Sequence, residues 1–207
     1  MKLNYPVSDL TIAILAGGES SRFGGDAKAL HHISGKTMLQ YTLDKALQIT
    51  NDVHLVIRHD MEGAIQYEGP VYSDLIKGKG PLGGIHAALK TSTRERLMVL
   101  PTDMPYLQVN TLKFFLNRVN TKAYDFAYLK AGDKVQPLIS IYKNTQELIK
   151  VVEYLFSGGK SSAVMTLLRR VKAEEIPLSI EDRDAAEFHN INFPGDLKTS
   201  GQKGGTS

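Results

Sequence analysis

The stretch "LTIAILAGGESSRFGGDAKAL", residues 10–30, runs from an apolar segment straight into one dense with turn residues. Its first half reads as a β-strand, because a short apolar run that ends at glycine has the length and the punctuation of one. The second half places Gly17, Gly18, Gly24 and Gly25 around two cations, Arg22 and Lys28. Closely spaced glycines after a strand let backbone N–H groups turn inward and cradle anionic oxygens. A guanidinium grips two phosphate oxygens at once and an ammonium acts as a mobile point charge, so the pair suits a triphosphate better than a neutral ligand. The competing reading is a plain glycine-rich turn with two solvated cations.

Working outward, apolar runs recur as "VHLVI" (53–57), "LMVLP" (97–101), "YDFAYL" (124–129) and "PLISIY" (137–142), each bounded by turn residues. Between them, apolar residues fall every three or four positions in 37–49, 82–92, 109–119, 145–156 and 162–171, which predicts helices. Alternating strands and helices imply right-handed βαβ units and a mostly parallel sheet covered on both faces, a three-layer α/β/α fold. Ligands in such folds bind at the carboxyl ends of the strands. A chain of 207 residues suits one domain, here expected over 1–197, with 198–207, "KTSGQKGGTS", as a mobile tail.

Charge and composition exclude several classes. With 25 basic and 22 acidic residues the chain lacks the concentrated basic face that binds nucleic acid. No run reaches the length of a membrane span, and the N-terminus has no signal-peptide core. The absence of cysteine rules out disulfides, thiolate metal sites and a cysteine nucleophile, and fits a cytoplasmic setting.

Three motifs mislead. "SGKT" (34–37) resembles the end of a Walker A loop, but Leu30 stands where the motif needs glycine. "GKGPLG" (78–83) matches the dinucleotide-binding pattern, with Asp103 about 20 residues on, yet Pro81 interrupts it and the strand before it is poor. His31-His32 has no cysteine or carboxylate cluster beside it and reads as a solvated loop pair rather than a metal site.

The acids come next. In "LMVLPTDMPYL", Asp103 lies just past a strand end between Pro101 and Pro105, a stiff position on the same sheet edge as the glycine loop. There it can hold a Mg²⁺ that bridges phosphates, or it can cap the following helix. Asp74 follows the short strand "PVYS", where a carboxylate can accept from guanine N1 and N2, or serve only the turn. In "EFHNINFPGDL", Asn190 and Asn192 flank Ile191, which sets both amides on one face of an extended segment, to read a polar ligand or to satisfy a loop.

Taken in order, the loop at 15–30, "GPLGG" (80–84), "PTDMPYL" (101–107), "VQPLISIY" (135–142) and "NINFPGDL" (190–197) resemble the molybdenum cofactor guanylyltransferases. The resemblance spans the chain up to its tail. It implies a Rossmann-like nucleotidyltransferase fold and transfer of GMP from GTP to the terminal phosphate of molybdenum-bearing molybdopterin, with release of pyrophosphate and use of Mg²⁺ or Mn²⁺. It further implies that Leu15, Ala16, Gly17 and Gly18 line the GTP site, that Lys28 meets the phosphates, and that Asp74 helps bind the nucleotide. Asp103 would hold the metal, and Asn190 and Asn192 would stand on the pterin side. Arg22, Lys28 and Asp103 would then carry catalysis by stabilising charge on the leaving group, with acceptor molybdoenzymes or their chaperones as partners. One departure is Ala27, where the family usually has Asp before the lysine. The segment "VHLVIRHD" (53–60) also lacks the asparagine the family often sets against the base. Two rival functions share these features: a cytidylyltransferase acting on molybdopterin or a sugar or polyol phosphate, and a guanine-nucleotide-binding module without turnover.

Overall fold

The computed structural model describes residues 3–17, 27–73, 79–119, 123–157, 164–180 and 185–192. Among these residues nine strands form in chain order: β1 (Leu10–Leu15), β2 (His32–Ile33), β3 (Lys36–Thr37), β4 (Val53–Ile57), β5 (Val71–Ser73), β6 (Arg96–Pro101), β7 (Phe126–Ala131), β8 (Lys134–Lys143) and β9 (Ala173–Leu178). Four α-helices accompany them: α1 (Met38–Ala46), α2 (Gly80–Thr91), α3 (Val109–Arg118) and α4 (Gln146–Ser157). Seven strands make one sheet in the order β5-β4-β1-β6-β8-β7-β9. Only β8 runs against its neighbours in that sheet; the other pairings are parallel. The expected mostly parallel α/β architecture is the one observed.

The apolar runs of β4 and β6 are buried along their whole length, and that of β1 up to the partly buried Leu15 at its end, because both faces of the sheet are covered. Alternation sorts their side chains between two layers. Ile12, Ile14, Met98 and Leu100 pack with Leu39 and Ala46 of α1 and Leu112, Phe115 and Leu116 of α3. Ala13, Val56, Leu97 and Val99 point the other way, onto Leu82, Ile85 and Leu89 of α2 and Leu148, Val152 and Leu155 of α4. Gly84 lets α2 settle closely on the sheet, since a Cβ there would lie 3.0 Å from Leu15 Cδ2.

The misleading motifs resolve into local structure. "SGKT" is the turn and second strand of the β2-β3 hairpin, with Ser34 and Gly35 at φ 47° and 89°, the positive angles that a tight two-residue hairpin turn requires. Thr37 then caps α1 in a reciprocal box: Gln40 N donates to Thr37 Oγ1 at 3.0 Å and Thr37 N to Gln40 Oε1 at 2.9 Å. "GPLG" opens α2 with proline in its first turn, and the strand ahead of it, β5, is a three-residue edge strand. That is a poor frame for a dinucleotide fold. His32 is exposed, and no group of three His, Cys, Asp or Glu gathers among the described residues.

Two expectations need correction. The segment 162–171, expected as a helix, forms a short 3₁₀ stretch at Val164–Arg169. The edge strand β9, "AEEIPL", was not expected, because its charges and Pro177 mask a strand; proline is tolerated there since an edge strand pairs on one side only. No described helix is long and apolar enough to cross a membrane.

Candidate active site

Parallel β1, β4 and β6 end on one edge of the sheet, and each delivers a residue to it. After β1 the ladder continues one step, Ala16 N donating to Val56 O at 2.8 Å, and Gly17 follows. A Cβ on Gly17 would stand 3.2 Å from Arg58 N and 3.3 Å from Ile57 C, so glycine is needed because the backbone of the β4 exit passes close by. Its φ lies outside the left-handed region, so close approach and not backbone strain sets the requirement.

Beyond Gly17, Lys28 begins a 3₁₀ turn, Lys28–Leu30, anchored by buried Ala29. Its Nζ donates to Asn192 Oδ1 at 3.0 Å and lies 3.3 Å from Asp103 Oδ2. Three segments separated by 75 and 164 residues thus meet at one ammonium group. The Asp103 side chain keeps 25% of its surface exposed and that of Lys28 16%, so both are fixed yet open to a ligand.

Asp103 does not cap the helix that follows it. The N-cap of α3 is Gln108, and the acceptor serving that end is the buried Glu187, whose Oε2 takes hydrogen bonds from Gln108 N (3.2 Å) and Thr111 Oγ1 (2.6 Å). The 185–192 strap that carries Glu187 also holds the Asp103 turn: Ile191 N donates to Asp103 O at 2.9 Å, and the Ile191 side chain is fully buried with Ile33 and Met38. Asn192 therefore joins the site, while Asn190 is exposed. Of the other expected site residues, Gly18, Arg22 and Asp74 lie outside the described residues.

Sequence reading missed three residues here. Arg58, at the exit of β4 beside Gly17, is gripped through Nε and Nη2 by both carboxylate oxygens of Asp60, at 2.9 and 2.8 Å. Lys45, in the last turn of α1, donates from Nζ to the carbonyl of Pro105 in the Asp103 turn. Burial pushes its ammonium down to about 8, against the opposing pull of Asp44 and Glu187. Glu187 is the third. None carries a motif; only the α3 start, "QVNT", which lacks a side-chain cap of its own, hinted that an acceptor must come from elsewhere.

An ammonium, a partly exposed carboxylate and a carboxamide at the mouth of a parallel sheet make a site for a phosphorylated ligand with a hard cation. Comparisons agree with that chemistry. Residues 12–176 match the family described as "MobA-like NTP transferase domain". A probable molybdenum cofactor guanylyltransferase from Carboxydothermus hydrogenoformans is 31% identical over 197 residues, covering 93% of this chain and 95% of the relative. A molybdenum cofactor guanylyltransferase from Photobacterium profundum is 30% identical over 190 residues, covering 91% and 94%. Among solved structures, molybdopterin-guanine dinucleotide biosynthesis protein A from Archaeoglobus fulgidus superposes with a TM-score of 0.75 at 26% identity, covering 92% of this chain and 96% of its own.

Proposed function

From the premise that this chain belongs to the MobA-like NTP transferase family and is a nucleotidyltransferase, we propose that it transfers GMP from GTP to the terminal phosphate of molybdenum-bearing molybdopterin. The observation that carries this reading is the convergence of Lys28, Asp103 and Asn192 at the strand-end edge. A phosphate oxygen of the pterin attacks the α-phosphorus of GTP in line; the bond from that phosphorus to the bridging oxygen breaks, and pyrophosphate leaves. The attacking phosphate is already ionised near neutral pH, so no general base is needed.

Catalysis then rests on positioning and on neutralising charge. Lys28, which lies between Asp103 and Asn192, exchanges those acceptors for phosphate oxygens. Gly17 lets the nucleotide lie against the backbone. Arg22, from the same loop, adds a second cation on the leaving group, and Asp74 takes the base. Asp103 offers a hard, partly exposed carboxylate oxygen, the donor type that Mg²⁺ or Mn²⁺ accepts from protein when substrate phosphates supply the rest, so the residues present fit a single divalent ion. When bound, such an ion withdraws charge from the phosphates during transfer. Asn190 and Asn192 face the pterin substrate.

Asp103→Asn tests this directly. The substitution keeps the size of a partly exposed side chain, so thermal unfolding should stay within a few degrees of the parent, while Mg²⁺-dependent pyrophosphate release is lost. Undiminished release at saturating Mg²⁺ would refute the assignment.

A further inference from the structure

The turn that carries Asp103 has little of its own to hold it. Pro101 and Pro105 donate no hydrogen bond, and within the turn Leu107 N reaches Met104 O at 3.2 Å. At its far end Gln108 Nε2 donates to Tyr106 O at 3.0 Å, and further anchors come from outside. Lys45 of α1 donates to Pro105 O from one side. From the other, the 185–192 strap donates Ile191 N to Asp103 O and is itself fastened by buried Glu187 to the first turn of α3. A carboxylate is well placed there, because the unsatisfied N–H groups at a helix start favour negative charge. The two anchors share a neighbour: Tyr41 packs against the buried cluster of Ile33, Met38 and Ile191, and Lys45 Nζ lies 5.6 Å over the ring of the same tyrosine. Glu187 also acts electrostatically on Lys45.

We infer that Lys45 and Glu187 are positioning residues that lock the Asp103 turn to the C-terminal strap, setting the spacing at which Asp103, Lys28 and Asn192 converge. Neither touches the substrate. Lys45 secures the turn through a backbone carbonyl two residues past Asp103, and Glu187 secures the strap four residues before Ile191. Loss of either leaves the sheet and its two apolar layers intact, because neither side chain contributes to those clusters. It lets the turn and strap drift together, and Asn192 with them.

The inference rests on the proposed guanylyl transfer for its catalytic meaning, so the test has one arm that needs no turnover. In Lys45→Met, which keeps the stem and removes the donor and charge, hydrogen exchange at the Ile191 amide should accelerate about tenfold or more, the order expected for losing a charged hydrogen bond. Core amides such as Ile14 and Val99 should keep their rates. In the Mg²⁺-dependent reaction, kcat should fall by a similar factor while KM for GTP stays within about twofold. Lys45→Arg should recover most of both losses, since it restores a cationic donor. Glu187→Leu removes the acceptor that Gln108 N and Thr111 Oγ1 share; it should give the same local pattern, and it carries the comparison if Lys45→Met does not fold. Unchanged Ile191 exchange, or exchange that rises equally in the core, overturns the positioning role. If the parent enzyme makes no guanylyl product, the functional reading fails, and the exchange data still decide whether the lock exists.

Discussion

Lys28 is the residue on which the site turns, and its partners make a specific forecast. It sits at the end of the loop where a distal phosphate can displace Asp103 and Asn192 from its ammonium. Lys28→Ala should therefore weaken GTP by about 1.5–3 kcal/mol and GMP little, as calorimetry would read. Equal weakening of both would mean that the lysine does not meet the β- and γ-phosphates. Gly17→Val should hurt both nucleotides alike, because its Cβ would press on Arg58 N and Ile57 C, backbone atoms that cannot yield as a flexible side chain could. At this scale the sequence was informative wherever chemistry is local. Leu15–Gly17, Lys28 and Asp103 lie in short motifs, and the structure brings Lys28 and Asp103 together. Asn192 was legible as a polar residue, while its separation in exposure from Asn190 follows from Ile191 being drawn into the pocket of Ile33 and Met38. Lys45 and Glu187 were not legible: their bonds reach across 60 and 76 or more residues to segments with no shared pattern.

Among the elements, α1 and the strap carry the predictions. Thr37→Ala removes one half of the capping box and should cost about 0.5–2 kcal/mol, seen as a lower urea midpoint with an unchanged slope. Lys45 adds a pH dependence. Its ammonium is pushed from its usual 10.5 to about 8 by burial, facing Asp44 on its own helix, Glu187 on the strap and the Tyr41 ring. Below pH 8 both folded and unfolded chains hold the proton and this group gives no slope. Between about 8 and 10.5 the unfolded chain holds a proton that the folded chain has released, so folding stability rises with pH through that window. Lys45→Met lacks the rise. Urea midpoints at pH 8 and pH 10 should show the parent gaining on the variant, and comparing the two chains cancels the tyrosines they share. The strands that alternate or run apolar were readable from sequence. β9 was not, because an edge strand needs few apolar residues, and neither was the β2-β3 hairpin, whose strands are two residues each.

For the whole molecule, strand order explains why one edge does the chemistry. β1 lies between β4 and β6, and the three run parallel, so Gly17, Arg58 and Asp103 leave the sheet side by side. The chain then travels through β7, β8, α4 and β9 before the strap returns to the same edge and supplies Asn192. Alternation of strands and helices foretold the parallel part of that path and the edge on which a ligand belongs. The return of the strap could not be foretold, since it depends on one buried isoleucine and one buried carboxylate finding pockets formed by α1, α3 and the Asp103 turn. The measurement that bears most directly on the central claim is mass spectrometry of the pterin product after incubation with molybdenum-bearing molybdopterin, Mg²⁺ and either GTP or CTP. A product heavier by one GMP unit, formed with GTP and not with CTP and accompanied by pyrophosphate, is the predicted result. A cytidylyl product, or nucleotide binding with no adduct from either triphosphate, would contradict it.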